Sequence, residues 1–226
     1  MTRWLYLSIA LTLATLGGSM YLYAFEYDRL PEQIPAHWNV VGEADRWMAK
    51  EDVFGVFLLV PLIMVGLIIA TLVLPWLSPK PFEVDPFRST YAYIMALVVA
   101  LLGFIHMTIL WASLQPGLPL VRILIAGIFL FLALMGNVLG RVRRNFWIGV
   151  RTPWTLASEK VWIRTHRVTA WLFVAMGLFG FVAIAAGAPV AWCFMGVMVV
   201  ALISVVYSLV LYKVLEKQGK LEIGNE

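Results

Sequence analysis

The sequence predicts an all-α protein: a polytopic integral membrane helix bundle of about six transmembrane helices, with both termini in the cytoplasm. Two observations lead to this class. Only 13% of the 226 residues are charged and the mean hydropathy is +0.88, whereas roughly a quarter of the residues in a soluble domain are charged. In addition, the apolar residues are gathered into six stretches, and each has about the 20 residues that a helix needs to cross a bilayer.

The six predicted spans cover residues 4–24, 53–76, 90–113, 118–139, 169–186 and 189–212. Each span is apolar all round, as expected where no water is available to the backbone. The first span is too long for the apolar part of a signal peptide, so we expect it to be retained. We divide the chain into residues 1–76, with two spans and an outer loop, and residues 77–226, with four spans and a basic, tryptophan-rich inner loop.

The distribution of Lys and Arg predicts the orientation of these spans. With a cytoplasmic N-terminus, thirteen of the 17 basic residues lie on inner segments and four lie on or near outer segments. Such an excess is typical of cytoplasmic loops. The net charge of +4 is then explained by loops that lie against anionic lipid. We therefore expect membrane lipids as partners and no direct binding of nucleic acid.

The outer loop, residues 25–52, has seven acidic and three basic residues. Two X-Pro pairs, at 30–31 and 34–35, impose extended backbone, residues 37–40 are either a short strand or irregular, and residues 41–45 are expected to turn. The negative charge favours a cationic partner from outside; the alternative is a compact cap over the bundle. Our candidate residues in this loop are His37, Asn39, Glu43 and Asp45.

Two ionisable residues lie within predicted spans. His106 is deep in the third span, where such a residue usually faces the bundle interior or a wet cavity; the alternative is a neutral histidine hydrogen-bonded to a neighbouring helix. Arg122 lies near the outer end of the fourth span, where it either extends to the lipid headgroups or has a functional role.

The inner stretch, residues 136–171, combines many of the basic residues with several tryptophans. Residues 145–151 are half apolar and should lie at headgroup level, and Thr152-Pro153 interrupts any helix there. We expect Thr155 or Ser158 to cap a new helix with Glu159 in its first turn. The alternative is an interfacial belt that binds lipid phosphate without specificity.

We call the candidate binding residues of this stretch the inner platform. They are Asn137, Arg144, Asn145, Arg151, Thr152, Trp154, Trp162, Arg164, His166 and Arg167.

Enzymatic chemistry has no recognisable motif in this chain. The sequence contains no HExxH, CxxC or GxSxG pattern and no phosphate-binding glycine-rich loop. The three histidines fall on the outer loop, at mid-membrane and on the inner surface, so they are not expected to share a metal. His37 with Glu43 or Asp45 is only a weak metal signal. We expect no enzyme activity, no cofactor and no bound metal.

The amino-acid sequence of the inner stretch also resembles that of a known family. Residues 136–137, 144–156, 159–162 and 165–167 resemble the SdpI immunity-protein family, whose pattern is roughly GN…NxxxGIRTPWTLxxxxVWxxTHR, with Val150 in place of the expected Ile. The outer loop resembles the LPxxIPxHxxxxGxxD pattern of an uncharacterised domain that often precedes this module. Together the two similarities extend over most of the chain.

The resemblance implies a multi-pass protein of the bacterial cytoplasmic membrane that protects its cell from a secreted, membrane-active toxin peptide. It also implies signalling, in which the toxin-bound protein recruits a cytosolic transcriptional repressor. Our first hypothesis is therefore a non-enzymatic immunity or receptor protein. The alternative is a transporter or lipid-handling protein that binds an anionic headgroup at the basic inner loop, through Arg144, Arg151, Arg164 and Arg167.

Overall fold

The computed structural model of the protein describes residues 1–39, 44–115 and 117–221, and this part of the chain is mostly α-helical. The helices are α1 (Thr2–Phe25), α2 (Val53–Trp76), α3 (Arg88–Leu114), α4 (Leu120–Leu139), α5 (Pro153–Ala157), α6 (Glu159–Ala185) and α7 (Val190–Lys217). Short 3₁₀ turns cover Tyr27–Arg29, Lys50–Asp52, Lys80–Phe82 and Asp85–Phe87.

All of these helices except α5 are long and apolar enough to cross a membrane. Their outward faces carry large apolar side chains: Leu62, Phe179 and Leu202 are each more than 60% exposed. In water such surfaces would be costly, whereas lipid covers them without penalty. The protein is therefore a multi-pass membrane helix bundle, as the sequence predicts.

The fifth span differs from its predicted bounds. Helix α6 begins at Glu159 and not at residue 169, because the inner helix expected near Ser158 and the fifth span form one continuous helix. Ser158 caps it by accepting a hydrogen bond from the N–H of Val161 at 3.5 Å. The first turns of α6 were not predicted as part of the span because charged side chains such as Lys160, Arg164 and Arg167 interrupt the apolar run there.

A β-hairpin interrupts the otherwise helical fold. Strand β1 (Gln33–Trp38) pairs antiparallel with β2 (Ala44–Ala49), with Gln33 opposite Ala49 and Ile34 opposite Met48. The predicted turn at residues 41–45 is wrong for its last two residues, which begin β2. Residues 40–43 lie outside the described residues. The hairpin is anchored by Ile34, which is 3% exposed and packs in a cluster with Leu30, Val53, Phe57 and Leu110.

Helix packing places α1 against α2 and α3, α4 against α6, and α6 against α7. The α4–α6 contact is especially close because glycines lie at the crossing. A Cβ on Gly136 would lie 2.8 Å from the carbonyl oxygen of Ala170, and a Cβ on Gly177 would lie 2.5 Å from the backbone nitrogen of Ala133. The absence of side chains at such positions lets helix backbones approach each other.

The connections between helices gather at two ends of the bundle. At one end, which we call the hairpin end, lie the β-hairpin and the α6–α7 turn. At the other, the basic end, the α2–α3 linker (residues 77–87) meets the loop between α4 and α6. The largest buried cluster also lies at the basic end and includes Tyr91, Ile94, Val142 and Trp162.

Candidate functional site

The loop between α4 and α6, residues 140–158, is organised by one amide side chain. Asn145 is fully buried, and its Oδ1 accepts hydrogen bonds from the N–H groups of Trp147 at 2.7 Å and Ile148 at 2.8 Å. Its Nδ2 donates to the carbonyl oxygens of Arg143 at 2.7 Å and Ile148 at 3.1 Å. Non-helical backbone in a packed region needs such partners, so this side chain replaces the bonds that regular structure would supply.

Trp162 and His166 of α6 form the wall against which this inner loop packs. The indole nitrogen of Trp162 donates to the carbonyl of Val142 at 2.8 Å, and its ring stacks on His166 with centroids 4.0 Å apart. The N–H of Val150 donates to Nε2 of His166 at 3.0 Å. Since Nε2 accepts, Nδ1 carries the proton and donates to the carbonyl of Trp162 at 2.8 Å. His166 is therefore a neutral, buried imidazole.

Gly149 lets the loop approach this imidazole. Its φ is +122°, a backbone conformation that other L-residues rarely adopt, and an added Cβ would lie 2.2 Å from Nε2 of His166. Both the backbone conformation and the lack of a side chain are needed. The glycine thus allows the neighbouring Val150 N–H to reach the histidine.

Thr152 closes the inner loop and joins it to the last helix. It caps α5 in a capping box with Thr155: Thr155 N–H donates to Thr152 Oγ1 at 3.2 Å, and Thr152 N–H donates to Thr155 Oγ1 at 2.9 Å. Pro153 fits the first helical position because no N–H is required there. Thr152 Oγ1 also lies 3.0 Å from Oγ of Ser208 in α7. This cap belongs to α5, whereas the helix with Glu159 in its first turn is capped by Ser158, one of the two residues expected.

Three further side chains bind the inner loop to its surroundings. Trp147 donates its indole N–H to Ser78 Oγ in the α2–α3 linker at 2.8 Å. Arg144 donates to the carbonyl of Leu156 at 3.1 Å, and Arg151 donates to the carbonyl of Phe146. These arginine groups are thus engaged with the protein's own carbonyl oxygens.

The structure does not bring every inner-platform residue into this network. Arg164 is exposed on α6 and Trp154 is half-buried on α5. Asn137 and Arg167 are exposed and line a separate groove between α4 and α6. The Asn137 side chain lies on the exposed surface of α4 and has no hydrogen bond to the following loop among the described residues.

His106 lies in the packed interface between α1 and α3. It is 3% exposed, and its Nε2 is 2.8 Å from Ser19 Oγ. Because the Ser19 hydroxyl donates to the carbonyl of Thr15 at 2.9 Å, the histidine is the donor to Ser19. This geometry favours a neutral histidine that hydrogen-bonds a neighbouring helix.

A row of hydroxyl residues on α1 was not singled out from the sequence. Ser8, Thr12, Thr15 and Ser19 are all buried, and each hydroxyl donates to the carbonyl one turn earlier. Their spacing of four, three and four residues places them on one helix face, and that spacing is the signal that would have found them. Small residues of this kind are typical of helix–helix contacts in membranes.

The remaining candidates lie at the hairpin end. Arg122 donates to the carbonyl oxygens of Ile184 and Gly187 at 3.3 Å and of Ala188 at 3.4 Å, so it satisfies the C-terminal end of α6. His37 Nδ1 lies 2.5 Å from Asp45 Oδ1 across the hairpin, and both side chains are exposed.

The two other outer-loop candidates are Asn39 and Glu43. Asn39 directly follows β1, and Glu43 lies outside the described residues. Within residues 1–39, 44–115 and 117–221, no group of three or more His, Cys, Asp or Glu is placed to hold a metal ion.

Comparison with known proteins identifies two parts of the chain. Residues 141–212 match the model of the SdpI/YfhL protein family, and residues 13–65 match a domain of unknown function, DUF1648. The first match contains Asn145, Thr152, Trp162, His166 and Ser208, the residues that build the inner loop. This part of the chain is therefore similar to the SdpI/YfhL family.

The resemblance read from the sequence motifs is thereby confirmed. The chain is also 26% identical over 151 residues to the immunity protein SdpI of Bacillus subtilis (strain 168), a match that covers 67% of this chain and 69% of that protein. No solved structure matches the chain.

Proposed function

We propose that this protein is a non-enzymatic membrane immunity protein that protects its bacterial cell from a secreted, membrane-active peptide. The observation that carries the proposal is the similarity to the immunity protein SdpI over 151 residues, on a chain with six helices suited to crossing a membrane. The N- and C-termini and the basic end then face the cytoplasm, in keeping with the excess of Lys and Arg there.

The hairpin end offers the surface at which such a peptide would be met. A groove of about 540 Å³ lies between α1 and α3 and is lined by apolar side chains that include Leu22, Met107 and Trp111. Glu26 and Arg29 lie at its rim and pair with each other at 2.5 Å. The amphipathic character of the groove suits a peptide whose apolar face enters the membrane while its charged face stays at the surface.

The inner loop is the part that a cytosolic partner would contact. It is hydrogen-bonded to α6 through His166, to α7 through Ser208 and to the α2–α3 linker through Ser78. These elements can pack in two arrangements only if the inner loop changes shape with them. A ligand that binds the two arrangements with different affinity therefore changes the shape of the loop. In this proposal the cytosolic partner is a transcriptional repressor. The groove that meets the peptide is shared by α1 of residues 1–76 and α3 of residues 77–226, and residues 77–226 also form the immunity module.

Expression in a strain that is killed by a neighbour's secreted peptide tests the protective function. We expect survival to rise with the wild-type protein and to be lost in Asn145→Ala, which removes the centre of the inner loop. Asn137→Ala is the matched control, since it removes the same amide from the surface of α4. Membrane levels of all three proteins are measured in parallel with a C-terminal fluorescent fusion. Unchanged killing by the peptide, with wild-type protein present in the membrane, would refute the proposal.

A role as a transporter or lipid-handling protein is the second candidate. A transport route would benefit from a polar path between His106 and the inner loop, but His106 is enclosed in the α1–α3 interface and bonded to Ser19. The observation that favours lipid binding is instead the groove that contains Asn137 and Arg167.

A further inference from the structure

A groove of about 240 Å³ lies on the exposed lateral surface of the bundle, between α4 and α6. Its floor is made of small residues, Gly136 and Gly140 on α4 and Ala170 on α6, and two polar side chains, Asn137 and Arg167, line it as well. The groove is outside the inner-loop network, and the immunity function proposed above does not use it.

The depth of the groove follows from the antiparallel packing of the two helices. Gly140 caps the C-terminus of α4, and the Cγ of Arg167 lies 3.8 Å from where its Cβ would be. Arg167 is therefore level with the end of α4, whereas Asn137 and Trp171 lie about one helical turn deeper. Trp171 is 76% exposed, and exposed Trp is enriched where lipid headgroups meet acyl chains.

Asn137 and Arg167 have the donors that an anionic oxygen requires. Among the described residues, neither side chain has a hydrogen-bond or ion-pair partner, in contrast to Arg144 and Arg151, whose guanidinium groups bind backbone carbonyls. The Asn137 amide, about one turn below the end of α4, is costly to leave without a partner, whereas the Arg167 guanidinium at the helix end lies where a headgroup phosphate can reach it. A ligand that accepts hydrogen bonds would remove that cost.

We propose that this groove binds the phosphate of an anionic phospholipid from the leaflet at the basic end. The planar guanidinium of Arg167 suits two phosphate oxygens, and the Asn137 amide donates to a phosphate or ester oxygen. One acyl chain lies over Gly136 and Ala170, beside the Trp171 ring. Basic pockets between transmembrane helices are a recurrent form of anionic-lipid recognition.

The glycines make the site testable without loss of the fold. A Cβ on Gly140 would meet nothing nearer than 3.8 Å, so the Cβ of a Gly140→Val side chain fits beside α6 and its two methyl groups fill the groove. Gly136 is unsuitable for this purpose, because a Cβ there would lie 2.8 Å from backbone atoms of α6. Gly66→Val is the matched control, since no atom lies within 4 Å of a Cβ at that lipid-facing position.

Native mass spectrometry of the full chain, purified from mixed phosphatidylglycerol and phosphatidylcholine vesicles, measures the bound lipid. We expect one phosphatidylglycerol to be retained in preference to phosphatidylcholine. Arg167→Ala should reduce its retention about tenfold, the effect of losing one charge-assisted contact. Gly140→Val should also reduce retention, because its side chain fills the groove. Arg164→Ala, which removes an exposed arginine of the same helix outside the groove, and Gly66→Val should retain the lipid.

Each other outcome counts against the site. Equal loss in Arg164→Ala and Arg167→Ala would show a nonspecific basic belt, and equal retention of both lipids would show acyl packing without phosphate recognition. Displacement of the lipid by inorganic phosphate would assign the site to a free anion. A dimer mass that is lost in Gly140→Val would show that a second copy of the chain covers the groove.

Discussion

Asn145 is the side chain whose loss should damage the inner loop most. Asn145→Ala removes the acceptor for the N–H groups of Trp147 and Ile148 and the donor to the carbonyls of Arg143 and Ile148. A buried donor left unsatisfied costs roughly 1–3 kcal/mol. Trp147 and Ile148 are only half-buried, so water satisfies part of the loss. We expect a total cost of about 2–3 kcal/mol, toward the low end of the sum for two donors.

Hydrogen–deuterium exchange of the detergent-solubilised protein measures this loss of stability at the affected backbone amides. A loss of about 2 kcal/mol corresponds to roughly 30-fold faster exchange for the amides of Trp147 and Ile148. Asn145→Asp keeps the acceptor oxygen but replaces the Nδ2 donor with a second oxygen that faces the carbonyls of Arg143 and Ile148. It therefore separates the acceptor half of the amide from the donor half. Asn137→Ala, the control, should change the free energy of unfolding by less than about 0.5 kcal/mol.

Two results would refute the reasoning about Asn145. One is unchanged exchange at Trp147 and Ile148 in Asn145→Ala, which would mean that other groups hold the inner loop. The other is an equal loss of thermal stability in Asn145→Ala and Asn137→Ala, which would mean that the buried bonds contribute no more than an exposed amide.

Three further predictions concern separate contacts and are tested by thermal unfolding in detergent. Gly149→Ala should destabilise the protein by at least about 2 kcal/mol. In a His166→Ala background the cost should be smaller, because the clash with the imidazole is then relieved. An equal cost in both backgrounds would contradict the 2.2 Å approach of a Cβ at Gly149 to His166. Thr155→Val should cost about 1–2 kcal/mol of stability. Thr169→Val should be neutral or stabilising, because Thr169 Oγ1 is buried with no partner among the described residues. A larger loss of stability in Thr169→Val than in Thr155→Val would be inconsistent with the structure. Arg122→Ala should cost about 1 kcal/mol by exposing the α6 carbonyl ends, and an unchanged melting temperature would argue against that cap.

Local properties of the chain were enough to predict the membrane bundle. A run of about 20 apolar residues is a helix in lipid whatever its neighbours are, because the backbone has no other way to satisfy its hydrogen bonds. The cap of α6 could also be predicted from local sequence, because Ser158 directly precedes the helix and bonds to its first turn. The uneven distribution of Lys and Arg likewise predicts an orientation without reference to packing.

The structure of the outer loop depended on contacts that sequence reading did not supply. Apolar and polar side chains alternate only weakly over β1 and β2. The register is set by pairs such as Ile34 with Met48 and by the packing of Ile34 against α2 and α3. The position of the turn therefore could not be predicted to within two residues. Strand register is decided by which face is buried, and that is a tertiary property.

Which residues meet at the candidate site was likewise decided by tertiary structure. The sequence places Asn137 and Arg167 in the same stretch as Asn145 and His166, yet the close α4–α6 crossing at Gly136 puts the first pair on the lipid-facing surface and the second pair inside the loop. Nothing in the sequence joins Thr152 to Ser208 or His106 to Ser19, because those pairs are separated by 56 and 87 residues. Hydrophobic length and charge determine the spans locally, whereas helix rotation and depth, which decide these contacts, follow from how the spans pack.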